Sequence, residues 1–143
     1  MNPFSLISED RAIRILVVDD NSVMRSSLRA VLEQQAGWRV CDEACSGQEA
    51  VDRFREIQPD VVVLDFQMPE MNGLEAARVL TQLSPKTPIL MVTLYLSTQL
   101  SEAARRVGIR GACSKTDIGS VINGVGALLR EETYFPSQPS VCS

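Results

Sequence analysis

The sequence predicts an α/β fold, a parallel sheet wound on both faces by helices, and three observations carry that expectation. Short apolar runs recur: Ile15-Leu16-Val17-Val18, Val61-Val62-Val63-Leu64, Ile89-Leu90-Met91-Val92, and the weaker Gly111-Ala112-Cys113-Ser114. Runs so rich in Val, Ile and Leu mark strands buried on both faces. Helix-length stretches separate them, as parallel pairing requires. Polar residues close the runs: Asp19-Asp20, then Asp65, then Thr93, then Lys115. In a doubly wound sheet, ligands bind outside the carboxyl ends of the strands. Three carboxylates, a hydroxyl and an ammonium therefore gather at one rim. That set suits a divalent cation plus a phosphoryl group, and it contains a nucleophile.

Taken in order, the chain gives five strand-helix units without internal repeats. The first strand covers about 14–18. The next helix opens at Asn21-Ser22, buries Met24, Leu28, Val31 and Leu32, and stops at Gly37. Residues 38–41 form a more polar second strand, expected at an edge. Ser46-x-x-Glu49 is a capping box for a helix that buries Ala50, Val51, Phe54 and Ile57 and ends at Pro59. Met68-Pro69-Glu70-Met71-Asn72-Gly73 reads as a loop, followed by a helix carrying Ala76, Ala77, Leu80 and Leu83 inward. A short helix then holds Leu100, Ala103, Ala104 and Val107, with Gly108 ending it. Asp117 is expected to cap the last helix, whose face is Ile118, Val121, Ile122, Val125, Leu128 and Leu129. Gly119, Gly124 and Gly126 weaken that helix by about 1 kcal/mol each relative to Ala. The Ser/Pro-rich 136–143 reads as the start of a linker.

Composition bounds the function. At 143 residues the chain has the size of one domain with a sizeable core, and 45% hydrophobic content is too high for disorder. No run is long enough to span a membrane. Residues 1–10 have neither a basic n-region nor an apolar h-region, which argues against export and for the cytoplasm. A net charge of −4 without a basic block argues against direct nucleic-acid contact by this segment. Cys41, Cys45, Cys113 and Cys142 form no CxxC pair and read as reduced thiols. With no histidine, a His-ligated metal, a Ser-His or Cys-His nucleophile and a phosphohistidine on this chain are all excluded.

The strings Val17-Val18-Asp19-Asp20-Asn21-Ser22 and Leu64-Asp65-Phe66-Gln67-Met68-Pro69-Glu70-Met71-Asn72-Gly73, with Thr93 and Ser114-Lys115, resemble the receiver domain of two-component response regulators. The resemblance covers roughly 14–134. It implies a flavodoxin-like (βα)5 sheet in the order 2-1-3-4-5, the order that flavodoxins and receiver proteins share. It divides the chain into an N-terminal extension (1–13), a receiver (14–135) and a linker or tail (136–143).

By that resemblance Asp65 accepts a phosphoryl group from a histidine of a sensor kinase. Asp20, Asp65 and the Gln67 backbone carbonyl are oxygen ligands for Mg²⁺, with Asp19 acting through water. Lys115 pairs with phosphoryl oxygens and Thr93 donates to one of them. Positioning and charge neutralisation dominate phosphoryl transfer, so this short list suffices. The protein is then a signalling acceptor with slow autodephosphorylation rather than an enzyme, and a homodimer on phosphorylation.

Three other readings use parts of the same set. Haloacid-dehalogenase-like phosphatases carry Asp-x-Asp, whereas here Asp19 and Asp20 are adjacent. A Rossmann nucleotide binder needs glycines after the first strand, and 18–23 has none. A pseudo-receiver usually loses one of the acidic pair, the acceptor or the lysine, and this chain keeps all of them.

Two departures from the receiver pattern stand out. The aromatic usual three residues before the lysine is Ala112, which puts the usual switch in doubt. The usually small residue after Thr93 is Leu94, followed by Tyr95. Gln67, Leu94 and Tyr95 are the expected lifetime-tuning positions, with Tyr95 as a lid. The end of the last helix, Glu131-Glu132-Thr133-Tyr134-Phe135, is similar to the junction at which the NarL/FixJ (LuxR-type) class joins a helix-turn-helix domain. A transcriptional output is expected from that likeness, with a stand-alone receiver or phosphorelay module as the alternative.

Overall fold

A computed structural model describes residues 12–136. Five strands, β1 (Ile13–Val18), β2 (Trp38–Ala44), β3 (Val61–Asp65), β4 (Ile89–Thr93) and β5 (Gly111–Ser114), alternate with five helices. The helices are α1 (Ser22–Leu32), α2 (Gly47–Ile57), α3 (Gly73–Leu83), α4 (Thr98–Arg106) and α5 (Gly119–Leu129). The sheet is parallel throughout, in the order β2-β1-β3-β4-β5. This is the flavodoxin-like arrangement expected.

Alternate residues of the central strands feed two separate cores. Leu16, Val18, Val62, Leu64, Ile89 and Met91 pack with α2, α3 and α4 residues such as Phe54, Leu80 and Ala104. Ile15, Val17, Val61, Val63, Leu90 and Val92 pack with α1 and α5 residues such as Leu28, Leu32, Val121 and Leu128. The period-2 alternation of a strand produces this division, and it explains why these runs carry no polar residue.

Several local expectations are corrected. β2 continues past Cys41 to Ala44, because its register against β1 skips: Ile15 faces Val40 but Leu16 faces Asp42. Cys41 is the extra residue of a β-bulge. α1 ends at Leu32 with Glu33 as its C-cap, and Gly37 (φ +83°) serves the turn into β2 instead. At α2, Ser46 Oγ accepts from Glu49 N–H at 3.0 Å, but the Glu49 carboxylate accepts from Cys45 N–H rather than closing the box on Ser46. The reciprocal capping box occurs at α3, where Asn72 Oδ1 accepts from Glu75 N–H and Glu75 Oε1 accepts from Asn72 N–H. Leu83 is exposed rather than buried. Asp117 does not cap α5: the N-cap is Ile118, with no side-chain hydrogen bond.

Gly124 reveals why α5 tolerates glycine at a cost in helix propensity. A Cβ there would meet the Leu90 methyls at 2.9–3.0 Å and the Tyr134 ring at 3.1 Å. Tyr134 belongs to a segment after α5 that returns to the edge of the sheet. Its N–H donates to Arg110 O (2.9 Å), its C=O accepts from Ala112 N–H (2.8 Å), and it forms a parallel bridge with Gly111. A short strap thus covers the β5 edge, which would otherwise present unpaired backbone groups. Phe135 packs on the α2–α3–α4 core, with the Arg105 guanidinium 3.9 Å from its ring centroid.

Candidate functional site

The register of the central strands brings the polar strand ends together. Val18 pairs with Leu64, Asp65 with Val92, and Thr93 with Ser114. Asp19 follows β1 directly, Asp65 is the last residue of β3, Thr93 ends β4, and Lys115 follows β5, its N–H donating to Thr93 O at 2.9 Å. Asp19, Asp65 and Thr93 are the buried polar side chains among the described residues, at 0%, 3% and 1% exposure. Groups of this kind are costly to bury unless they are paired.

Lys115 supplies the pairing. Its Nζ lies 2.7 Å from Asp19 Oδ2 and 3.2 Å from Asp65 Oδ1, with 9% of the side chain exposed. Asp19 Oδ1 accepts from Asn21 N–H (2.9 Å), and Asp65 Oδ1 accepts a longer bond from Gln67 N–H (3.3 Å). Asp19 Oδ2 is different: it is buried, and the Lys115 ammonium is its one partner among the described residues. Asp20 is exposed and completes the cluster, one carboxylate oxygen from each of Asp19, Asp20 and Asp65 lying within 4.8 Å of the others. One ammonium against three carboxylates leaves the cluster short of positive charge. A hard divalent cation with oxygen preference fits this donor set and the under-bonded buried oxygen.

The titration behaviour follows from the same geometry. Burial, and then the Asp19 charge, push the Asp65 carboxyl up from 3.8 to about 6, against the opposing pull of Lys115 and of the Gln67 N–H. For Lys115, burial alone lowers basicity, but the hydrogen bond to Asp19 and the charges of Asp65 and Asp19 outweigh it and raise the ammonium above its usual value.

The loop after Asp65 is shaped for close approach. Gly73 N–H donates to Phe66 O at 2.8 Å, and a Cβ at Gly73 would overlap the Asp65 carbonyl and Phe66 Cα. The glycine of the Met-Pro-x-Met-x-Gly string is therefore required by the backbone turn that presents Asp65.

The sequence-predicted residues do not all meet. Asp19, Asp20, Asp65 and Lys115 form one cluster, with Thr93 beside it by register. Gln67 is exposed and touches Asp65 through its backbone. Leu94 and Tyr95 point outward, Tyr95 with 75% exposure. Ala112 is fully buried in β5, held by the strap. Two features carry no signal in the sequence: the Arg25–Glu43 pair flanking Asp19 and the Tyr134–Phe135 strap.

The sequence profile of the response regulator receiver domain matches residues 15–123. The chain belongs to the receiver family. Among curated relatives, it is 40% identical over 78 residues to the chemotaxis protein CheY of Thermotoga maritima, covering 54% of this chain and 64% of that one. It is 43% identical over 83 residues to a protein-glutamate methylesterase/protein-glutamine glutaminase of Pyrococcus abyssi, covering 58% of this chain. The match spans only 22% of that methylesterase. Among solved structures, a LuxR-family two-component response regulator from Aurantimonas sp. SI85-9A1 aligns with a TM-score of 0.83 and 29% identity, covering 90% of this receiver and 91% of that chain. The response regulator domain of Thermotoga maritima CheB aligns with a TM-score of 0.75 and 30% identity, covering 85% and 96%. Phosphoryl acceptance is general to receivers. The assignment sets aside the dehalogenase-like and dinucleotide-binding alternatives. Among the described residues no helix is long and apolar enough to cross a membrane.

Proposed function

We propose that this receiver accepts a phosphoryl group on Asp65 from a phosphohistidine of a sensor kinase, with Mg²⁺ bound by its acidic cluster. The observation that carries the reading is the buried Asp65 carboxylate, 3.2 Å from the Lys115 ammonium that also pairs with Asp19. An Asp65 oxygen attacks phosphorus, a P–O bond forms, the P–N bond to the imidazole breaks, and the imidazole takes a proton from solvent. Asp20, Asp65 and the Gln67 carbonyl would hold the metal, with Asp19 acting through water. When bound, Mg²⁺ offsets the repulsion between the carboxylate and the incoming phosphoryl oxygens. Lys115 neutralises phosphoryl charge, and the Thr93 hydroxyl donates to one oxygen.

The domain limits follow as a receiver at 14–135 with a linker from 136. The product is a cytoplasmic signalling state, relayed through homodimerisation to a DNA-binding output of the LuxR type. The likeness in fold to a LuxR-family regulator is what supports that output. A stand-alone phosphorelay role is the second reading, favoured by the CheY relative. The test is incubation with acetyl phosphate, with and without Mg²⁺, followed by intact-mass spectrometry. A single phosphate adduct that requires Mg²⁺ and turns over slowly supports the proposal. Catalytic hydrolysis of general phosphate esters opposes it.

A further inference from the structure

The turn that carries Asp19 and Asp20 is held by a side chain outside the acidic cluster. Asp19 N–H donates to Ala44 O at 3.0 Å, which fixes one side of the residue to β2. On the other side, Asp19 O accepts from Arg25 Nη1 at 2.7 Å. That carbonyl belongs to the peptide joining Asp19 to Asp20, so its direction sets where both carboxylates begin.

Arg25 is itself oriented. Its Nε donates to Glu43 Oε1 at 3.1 Å, and Glu43 Oε2 accepts from Arg29 Nε at 2.7 Å. Arg29 continues to Glu33 (3.6 Å), whose carboxylate accepts from Val40 N–H at 2.9 Å. The Arg29 hydrogen bond, and then that of Arg25, hold the Glu43 carboxyl below its usual range against the opposing effect of burial. The fork geometry of a guanidinium lets Arg25 serve a carbonyl and a carboxylate at once, which an ammonium on a flexible stem does poorly.

The β2 bulge makes this arrangement possible. Val40 packs with Leu28 and Leu32 on the α1 face, and Glu43, three residues later, meets Arg25 and Arg29 on the same face. In an unbroken strand, residues three apart point to opposite faces. The register skip at Cys41 inserts the residue that turns Glu43 toward α1, while Asp42 turns toward Arg53 of α2.

We propose that Arg25, oriented by Glu43, is a positioning residue for the metal cluster, fixing the Asp19–Asp20 peptide so that the carboxylates meet the cation. The inference rests on the reading that the cluster binds Mg²⁺. Charge and position pull in opposite directions here. Removing a cation beside an acidic cluster strengthens Mg²⁺ binding by charge alone, whereas losing the hydrogen bond to the Asp19 carbonyl weakens it.

The experiment is calorimetric titration of the full chain with Mg²⁺ for the parent, Arg25→Ala, Arg25→Lys and Glu43→Gln, with thermal melts in chelator as a folding control. Arg25→Ala should raise the Mg²⁺ dissociation constant about fivefold. Arg25→Lys, which keeps the charge but not the fork, should raise it by a smaller factor, and Glu43→Gln should also raise it. Unchanged or tighter Mg²⁺ binding by Arg25→Ala overturns the positioning role. If Arg25→Ala does not fold, parental affinity in Arg25→Lys overturns it instead. Absence of Mg²⁺ binding in the parent overturns the metal reading and this inference with it, whereas the first two outcomes leave the metal reading standing.

Discussion

The two flanks of the sheet are built from different chemistry. On the β2–β1 side, the rim is a chain of charged groups: Glu33, Arg29, Glu43, Arg25 and Asp19 follow one another in hydrogen bonds and ion pairs, and Lys115 reaches Asp19 from the end of β5. On the β4–β5 side, Leu96, Leu100 and Phe135 pack against the buried cluster that holds Ala112, with the Tyr134 backbone bonded to the β5 edge and Arg105 over the Phe135 ring. Directional bonds fix the acceptor side in place, whereas the far side is held by packing and by two backbone hydrogen bonds to the strap. The charged cluster and the apolar packing beside β5 are therefore held by different forces. Ala112 is fully buried in the apolar cluster against which Phe135 packs.

The sharpest way to break this contrast is Lys115→Ala. Removing one partner of a buried ion pair costs about 3 kcal/mol, read as a lower denaturation midpoint in chelator. Losing a positioned charge on the phosphoryl oxygens slows phosphorylation by about 10²-fold. A variant as stable as the parent in chelator would mean that the charged side is not held by this ammonium.

On the apolar side, Phe135→Ala should cost about 1–2 kcal/mol, less than a fully buried ring. Ala112→Tyr in the parent should cost about 1–3 kcal/mol by overpacking. The two together should be milder than their sum, by about 1 kcal/mol, because both positions belong to one apolar cluster. In that double variant, phosphorylation should also strengthen dimerisation more than it does in the parent. Strict additivity in urea unfolding would show that the two rings do not share a space.

The pH dependence sorts the carboxylates by their surroundings. A carboxyl whose folded pKa is raised, as in Asp65 at about 6, penalises the fold once ionised, so stability is gained as pH falls through that value. Glu43 and Glu49 are shifted the other way and lose stability only below their usual range. Between pH 7 and pH 5 in chelator, the domain should therefore gain about 1 kcal/mol from Asp65. Asp65→Asn should flatten that rise, and an unchanged slope in the variant would assign it to another group.

Tyr95→Ala carries the smallest expected effect. Tyr95 is three-quarters exposed, so any lid action requires it to swing inward. Decay of a radiolabelled phosphoryl group should accelerate by only about two- to threefold. Identical decay would leave Tyr95 as a surface residue.

Much of this was legible in the sequence. The four apolar runs are strands because each is buried on both faces, and the polar residue after each run falls at one rim because parallel strands share a direction. What was not legible depends on contacts far apart in the chain. The Cys41 bulge breaks the period of β2, so Asp42-Glu43 reads as the end of a strand rather than its continuation. Arg25 resembles any helix-surface arginine until the Asp19 carbonyl is placed beside it. The strap pairs with a strand more than twenty residues earlier through a single bridge, too short to leave a periodic signal. Asp117 failed as a cap because Ser114 holds the local turn, its Oγ accepting from Thr116 N–H and its C=O from Asp117 N–H. Residues 1–11 and 137–143, including most of the expected linker and Cys142, lie outside the described residues.

The central claim is that Asp65 is the acceptor, and it is tested most directly by locating the phosphoryl group itself. After reaction with acetyl phosphate and Mg²⁺, borohydride reduction converts an aspartyl phosphate to homoserine, which peptide mass spectrometry can place on the chain. The account predicts homoserine at Asp65 in the parent, and neither adduct nor homoserine in a folded Asp65→Asn variant. Homoserine at Asp19 or Asp20, or an undiminished phosphate adduct in Asp65→Asn, would contradict it.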